Sequence, residues 1–119
     1  MKIIINEIPL SKNKYVNIFW ARRREYKNII RWLIYDKDKR KGNERKPYNK
    51  ATVTFSIFFR DKRKRDVANY LGGGLISWLD ALVDLKFIAD DSYDVIGQPN
   101  IIFNIDKGNP RTEIIIDEI

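Results

Sequence analysis

The chain contains no cysteine and no histidine. Disulfides and thiolate zinc sites are therefore excluded, as are imidazole metal ligands and any Ser-His or Cys-His nucleophile. Enzymatic chemistry is left to carboxylates, lysine or tyrosine. No apolar run reaches the roughly eighteen residues that span a bilayer, and Met1-Lys2-Ile3-Ile4-Ile5-Asn6-Glu7 turns polar too soon for a signal peptide. A soluble, cytoplasmic protein with no membrane partner is expected.

At 119 residues, 44% of them hydrophobic, the chain suits one compact domain spanning 1–119. The net charge of +7 hides an asymmetry. Lys12 to Arg65 carries nineteen Lys or Arg against five Asp or Glu, whereas Asp66 to Ile119 carries three against ten, a balance of +14 against −7. A basic surface of that size attracts polyanions, of which nucleic acid is the commonest inside cells. An ordinary solubilising surface is the bland alternative. Anionic membrane is a poorer fit, because the cations are not confined to one amphipathic helix.

Periodicity gives the element order. Lys2 to Ile8 reads as a strand stopped by Pro9. Over Ile18 to Tyr35, Phe19, Tyr26, Ile29, Ile30, Leu33 and Ile34 form a helical apolar stripe, with Arg23, Arg24, Lys27 and Arg31 largely off it. Asp36 to Lys50 has almost no apolar residues and seven basic ones, and is expected to be a mobile basic loop over 36–50. Ala51 to Arg60 alternates Val53, Phe55, Ile57 and Phe59 against Thr52, Thr54, Ser56 and Phe58, a strand with one buried face. Leu75, Trp78, Leu79, Leu82 and Leu85 recur at spacings of three and four, predicting a helix from about Leu75 to Lys86. Asn100 to Ile105 and Thr112 to Asp117 are strands joined by the turn-forming Asp106-Lys107-Gly108-Asn109-Pro110. The order β-α-β-α-β-β predicts an α+β fold with helices packed on a mixed sheet.

The basic run Lys62-Arg63-Lys64-Arg65 ends in Asp66-Val67-Ala68-Asn69, and the acid pair Asp90-Asp91 follows the long helix. Cations for phosphate thus accompany carboxylates for a metal, the makings of a metal-dependent nuclease. Arg65-Asp66-Val67-Ala68-Asn69, Leu79-Asp80-Ala81-Leu82 and Phe87-Ile88-Ala89-Asp90-Asp91, in that order, resemble the RusA family of Holliday-junction resolvases. Weaker similarity extends to Pro9-Leu10-Ser11-Lys12-Asn13 and to Arg111-Thr112-Glu113-Ile114-Ile115-Ile116, so it covers nearly the whole chain. The resemblance implies a RusA-like fold and a homodimer that resolves four-way DNA junctions by metal-dependent phosphodiester hydrolysis, with Mg²⁺ or Mn²⁺ as cofactor. It implies a place in phage or prophage recombination. Asp66 and Asp91 would be catalytic metal ligands, with Asp90 a supporting acid. Asn69 would orient the loop, and Lys62, Arg63, Lys64 and Arg65 would grip phosphates near the cut. Arg22, Arg23, Arg24 and the loop residues Lys39, Arg40 and Lys41 would hold the junction arms.

The chain departs from the family pattern where a second aspartate is expected, because Ala68 stands there and a methyl group cannot coordinate a metal. A natural variant using Asp90 or another acid, a natural inactive binder and a deliberate Asp→Ala change all remain open. The family's helix lysine is also missing. Counting forward from Asn69 reaches Gly72 and counting back from Asp80 reaches Ile76, a four-residue insertion around the glycines.

Local readings compete with the functional ones. Asp66 suits a turn or cap, and Asp90-Asp91 a solvated loop. Ser77, Asp80 and Asp84 share a helix face expected to be solvated or paired with cations. Gly72-Gly73-Gly74 matches no phosphate-binding motif and reads as a hinge or a close backbone approach. The tryptophans and most phenylalanines suit core or interface positions, while Tyr15, Tyr48 and Tyr70 are candidates for stacking on bases.

Overall fold

Alternation along residues 51–59 builds the strand that organises the domain. In β2 (Ala51–Phe59), Ala51, Val53, Phe55, Ile57 and Phe59 are all buried on one face. The computed structural model describes residues 1–17, 20–38 and 46–119. Around β2 it places β1 (Lys2–Ile5), β3 (Asn100–Ile105) and β4 (Arg111–Glu118) in one four-stranded sheet of order β1-β4-β2-β3. β4 pairs antiparallel with β1 and with β2, while β3 lies parallel to β2, so the sheet is mixed. A parallel neighbour demands a crossover, and the chain between β2 and β3 supplies one with α3 (Ala68–Leu71), α4 (Leu75–Asp84) and α5 (Tyr93–Ile96). Before β2 come α1 (Lys12–Val16) and α2 (Trp20–Lys37).

The inner face of the sheet presents Ile3, Ile5, Val53, Phe55, Ile57, Ile114 and Ile116 to Ile30 and Ile34 of α2 and to Leu75, Trp78 and Leu82 of α4. Trp78 is fully buried and meets the Phe55 ring edge-on at 6.4 Å. This is a single α+β domain with helices on a mixed sheet.

Several local expectations shift. The first strand ends at Ile5 rather than Ile8, and the helix expected over 18–35 is α2, which takes Asp36 and Lys37 out of the anticipated loop. Residues 39–45 of that loop, with Lys39, Arg40 and Lys41, lie outside the described residues. Its end is anchored, because Tyr48 forms a bridge with Ile88 and exchanges backbone bonds with Phe87 and Ala89. Ile29, counted on the apolar stripe, is 57% exposed; one residue from buried Ile30, it is rotated about 100° away from the core. Ser77 is buried rather than solvated, and its hydroxyl shares a 3.0 Å hydrogen bond with Tyr15 Oη. Helices α1, α3 and α5 have four or five residues each, too few to show a helical period.

The glycine triplet is a close approach. A Cβ on Gly73 would lie 2.6 Å from the Lys12 nitrogen and 2.8 Å from the carbonyl oxygens of Leu10 and Asn69; one on Gly74 would lie 2.6 Å from the Leu10 nitrogen and 2.9 Å from Tyr26 Oη. Gly74 also donates its N–H to the Leu10 carbonyl at 2.7 Å. Tyr26 Oη closes the junction, accepting from Trp78 Nε1 at 2.7 Å and from the Leu10 N–H at 3.2 Å. Burial raises the Tyr26 pKa against the opposing effect of the Trp78 hydrogen bond. Residues 9–12 are thereby clamped against the entrance to α4.

Gly73→Ala and Gly74→Ala should each destabilise the domain by about 1–3 kcal/mol through overpacking, whereas Gly72→Ala, whose Cβ would meet nothing nearer than 3.5 Å, should stay within about 0.5 kcal/mol. Urea unfolding of the three variants measures this, and equal losses at all three would contradict the close-approach account.

Candidate nucleic-acid interface

The segment clamped by the glycines forms one wall of a cleft. Ile8, Pro9, Leu10, Ser11 and Lys14 face Phe59, Arg60, Arg63, Lys64, Arg65, Asp66, Asn69 and Tyr70 across a volume of about 540 Å³, with Pro110 of the β3–β4 turn at the rim. Five cationic side chains and one carboxylate line it. Arg and Lys are the side chains that chiefly contact phosphodiester backbones, so the lining has the charge and donor types such a contact needs.

The loop that carries these cations, 60–67, is internally tied. Asp61 Oδ1 accepts from the Arg63 N–H at 3.0 Å and from Arg65 Nη2 at 2.8 Å. Arg65 also donates to the carbonyls of Asp61 and Arg63 at 3.0 and 2.9 Å, and its guanidinium lies over the Phe59 ring at 3.9 Å. Phe59, Tyr70 and Phe103 pack ring against ring at 5.1–5.5 Å beneath it. Arg65 thus spends its donors on holding the loop, whereas the Arg63 side chain is 78% exposed. Lys62 and Lys64 are exposed as well, with Lys64 on the cleft.

Asp66 is exposed at the cleft wall, and its carbonyl accepts the Asn69 N–H at 3.1 Å in a turn leading to α3. Asn69 lines the same cleft, half-buried. Ala68, the first residue of α3, is exposed.

Asp90 and Asp91 are placed elsewhere. They follow Ile88, which bridges to Tyr48 ahead of the N-terminus of β2, whereas Asp66 sits by Phe59 at its C-terminus. The strand between is roughly 25 Å long at about 3.3 Å per residue. Asp91 instead falls within electrostatic reach of Asp80, whose pKa is raised by burial, by the negative field of Asp91 and by that of Asp84, against the pull of Lys27. Lys27 Nζ lies 3.3 Å from Asp84, tying α2 to α4. A metal held by protein carboxylates needs them converging within about 2.1 Å of the ion. Among the described residues no group of three or more His, Cys, Asp or Glu converges to hold a metal ion. One chain therefore does not fit a metal centre that joins Asp66 to Asp90 and Asp91.

The remaining expected contacts divide. Arg22 and Arg24 are exposed near the start of α2, but Arg23 donates to the carbonyls of Tyr15 and Val16 at 3.1 and 2.9 Å and stacks on the Tyr15 ring. Tyr15, one of three candidates for stacking on bases, is 8% exposed and belongs to the interior. Tyr48 and Tyr70 are half-buried. Two cleft cations escaped the sequence reading, Arg60 and Lys14. Arg60 directly follows β2 and extends the basic run backwards; Lys14 carried no signal until the Leu10–Gly74 contact brought its segment alongside.

The chain matches no model of a known protein family and no curated protein. No helix among the described residues is long and apolar enough to cross a membrane.

The hydrogen bond from the Arg63 N–H, then that from Arg65, hold the Asp61 carboxyl below its ordinary 3.8. A depressed carboxylate contributes order that is complete above its unfolded value and is lost as pH falls through its folded one. An NMR titration should find the Asp61 carboxyl carbon and the Arg65 side-chain N–H moving together with a midpoint below 3.8. Independent midpoints, or one above that value, would contradict the tie.

Proposed function

We propose that the chain is a structure-selective endodeoxyribonuclease of the RusA kind, acting as a homodimer on four-way DNA junctions with Mg²⁺ or Mn²⁺. The observation that carries this reading is the basic cleft with Asp66 set in its wall among Lys14, Arg60, Arg63 and Lys64. Cations grip the backbone, and the carboxylate lies where a gripped phosphate would pass. The bound metal would activate the attacking water and neutralise charge developing on the phosphate. Arg65 positions the loop through Asp61 rather than touching DNA, and Asn69 fixes the turn that presents Asp66. A role in phage or prophage recombination, in the cytoplasm, belongs to the same proposal.

The separation of Asp66 from Asp90 and Asp91 constrains this reading. Symmetric resolution of a junction needs two active sites related by a twofold axis. In such a dimer, hydrolysis assigned to both acidic points requires Asp66 of one copy to work with Asp91 of the other.

A second reading has its own support. The exposed methyl of Ala68 and the placement of Asp66 and of Asp90-Asp91 at opposite ends of β2 favour a protein of this fold that binds junctions without cutting them.

Replacing Arg63 and Lys64 together by alanine should weaken junction binding and make its logarithmic salt dependence about two units shallower. An unchanged slope in fluorescence-anisotropy titrations would remove this cleft from the interface. In the Ala68→Asp background, Asp66→Asn chains and Asp91→Asn chains should each fail to nick. Mixed, they should recover about a quarter of the parent activity, because half the dimers regain one of two sites. Nicking by the Asp91→Asn chain alone would refute its role, and no recovery on mixing would refute sharing between copies.

A further inference from the structure

The outer face of α2 carries an apolar seam inside the chain's most basic region. Ile29 is 57% exposed and Trp32 68%. Arg22, Glu25, Ile29, Trp32 and Asp36 follow one another at alternating spacings of three and four, the seam along which one helix packs on another. Trp32 is held in place by an edge-on contact with the Tyr35 ring at 6.0 Å. Beside it, Arg31, Trp32, Tyr35 and Leu85 enclose a shallow pocket of about 210 Å³. Exposed isoleucine and tryptophan aligned on one helix face mark an interaction surface, and tryptophan at the centre of a patch is a usual energetic anchor.

We propose that this seam is the twofold interface with a second copy of the chain, the two α2 helices packing antiparallel about an axis near Ile29. The charges select occupant and direction. Arg22 and Asp36 lie at equal distances on either side of Ile29, both are exposed, and neither has an ion-pair partner among the described residues. Antiparallel pairing sets Arg22 of each copy against Asp36 of the other, with the apolar pair between. Parallel pairing would oppose arginine to arginine and aspartate to aspartate, which is repulsive at both ends.

The inference deepens the homodimer of the proposed function and rests on that reading for its consequence. α2 begins beside the basic cleft, where Arg23 bonds to the end of α1 and Lys14 of α1 lines the cleft. It ends beside Leu85, five residues before Asp90. Antiparallel α2 helices therefore turn the Asp66 end of one copy toward the Asp90–Asp91 end of the other.

Sedimentation equilibrium of the full chain from about 1 μM to 1 mM tests it. The chain should show a monomer–dimer equilibrium, and Trp32→Asp, at an exposed position where the far-ultraviolet circular dichroism spectrum should stay that of the parent, should raise the dissociation constant about 30-fold or more. Arg22→Asp and Asp36→Arg should each weaken the dimer, and the double charge exchange should restore it. A chain monomeric throughout would overturn both this interface and the homodimer of the proposed function. A dimer indifferent to Trp32→Asp would overturn the interface and leave that function standing. Weakening without recovery in the double exchange would overturn the antiparallel pairing.

Discussion

The close crossing of Leu10 over Gly74, sealed by the Tyr26 hydroxyl, is the contact on which the site depends. Tyr26 accepts from Trp78 and from Leu10, so one oxygen joins α2, α4 and the N-terminal segment. Removing it would leave the buried Trp78 Nε1 without its acceptor, at a cost of about 1–3 kcal/mol, and would free the half-buried Leu10 N–H. The two glycines beneath it permit an approach that any side chain would block. Without that approach Leu10, Ser11 and Lys14 would not stand opposite Arg63, Lys64 and Asp66, and the basic loop would border open solvent instead of a cleft.

Charge in this chain is divided by task. Some cations are structural: Arg65 on Asp61 and Phe59, Arg23 on the end of α1, and Arg111 between Asp106 and Glu113 over the Phe58 ring. Planar guanidinium suits such multidentate ties. Others, among them Arg63 and Lys64, reach solvent along the cleft, where a polyanion would release counterions on binding. The carboxylates divide as well, Asp66 facing the cleft while Asp80 and Asp91 repel each other at the far side of α4.

Much of the fold was legible because burial imposes period. Residues 51–59 alternate and 75–84 recur at helical spacing, and both elements form where that pattern predicts. What was not legible depended on distant partners. Nothing local distinguishes Arg65, a brace, from Arg63, whose exposed guanidinium meets Asp61 only at 3.7 Å; the difference is the Phe59 ring beneath Arg65 and its 2.8 Å bond to the Asp61 carboxylate. Tyr15 reads as a surface tyrosine among polar neighbours until Ser77 receives its hydroxyl in the interior. Motif order placed Asp66 and Asp90-Asp91 in one site, but order along a chain does not specify end of strand. The helix between them spans the sheet rather than returning to the cleft.

The most direct test of the account is to expose a labelled mobile four-way junction and a duplex of equal length to this chain and to Ala68→Asp, side by side, with Mg²⁺. The account predicts that both chains bind the junction in preference to the duplex and that Ala68→Asp nicks opposing strands. Equal affinity for junction and duplex, with no nicking by either chain, would contradict it.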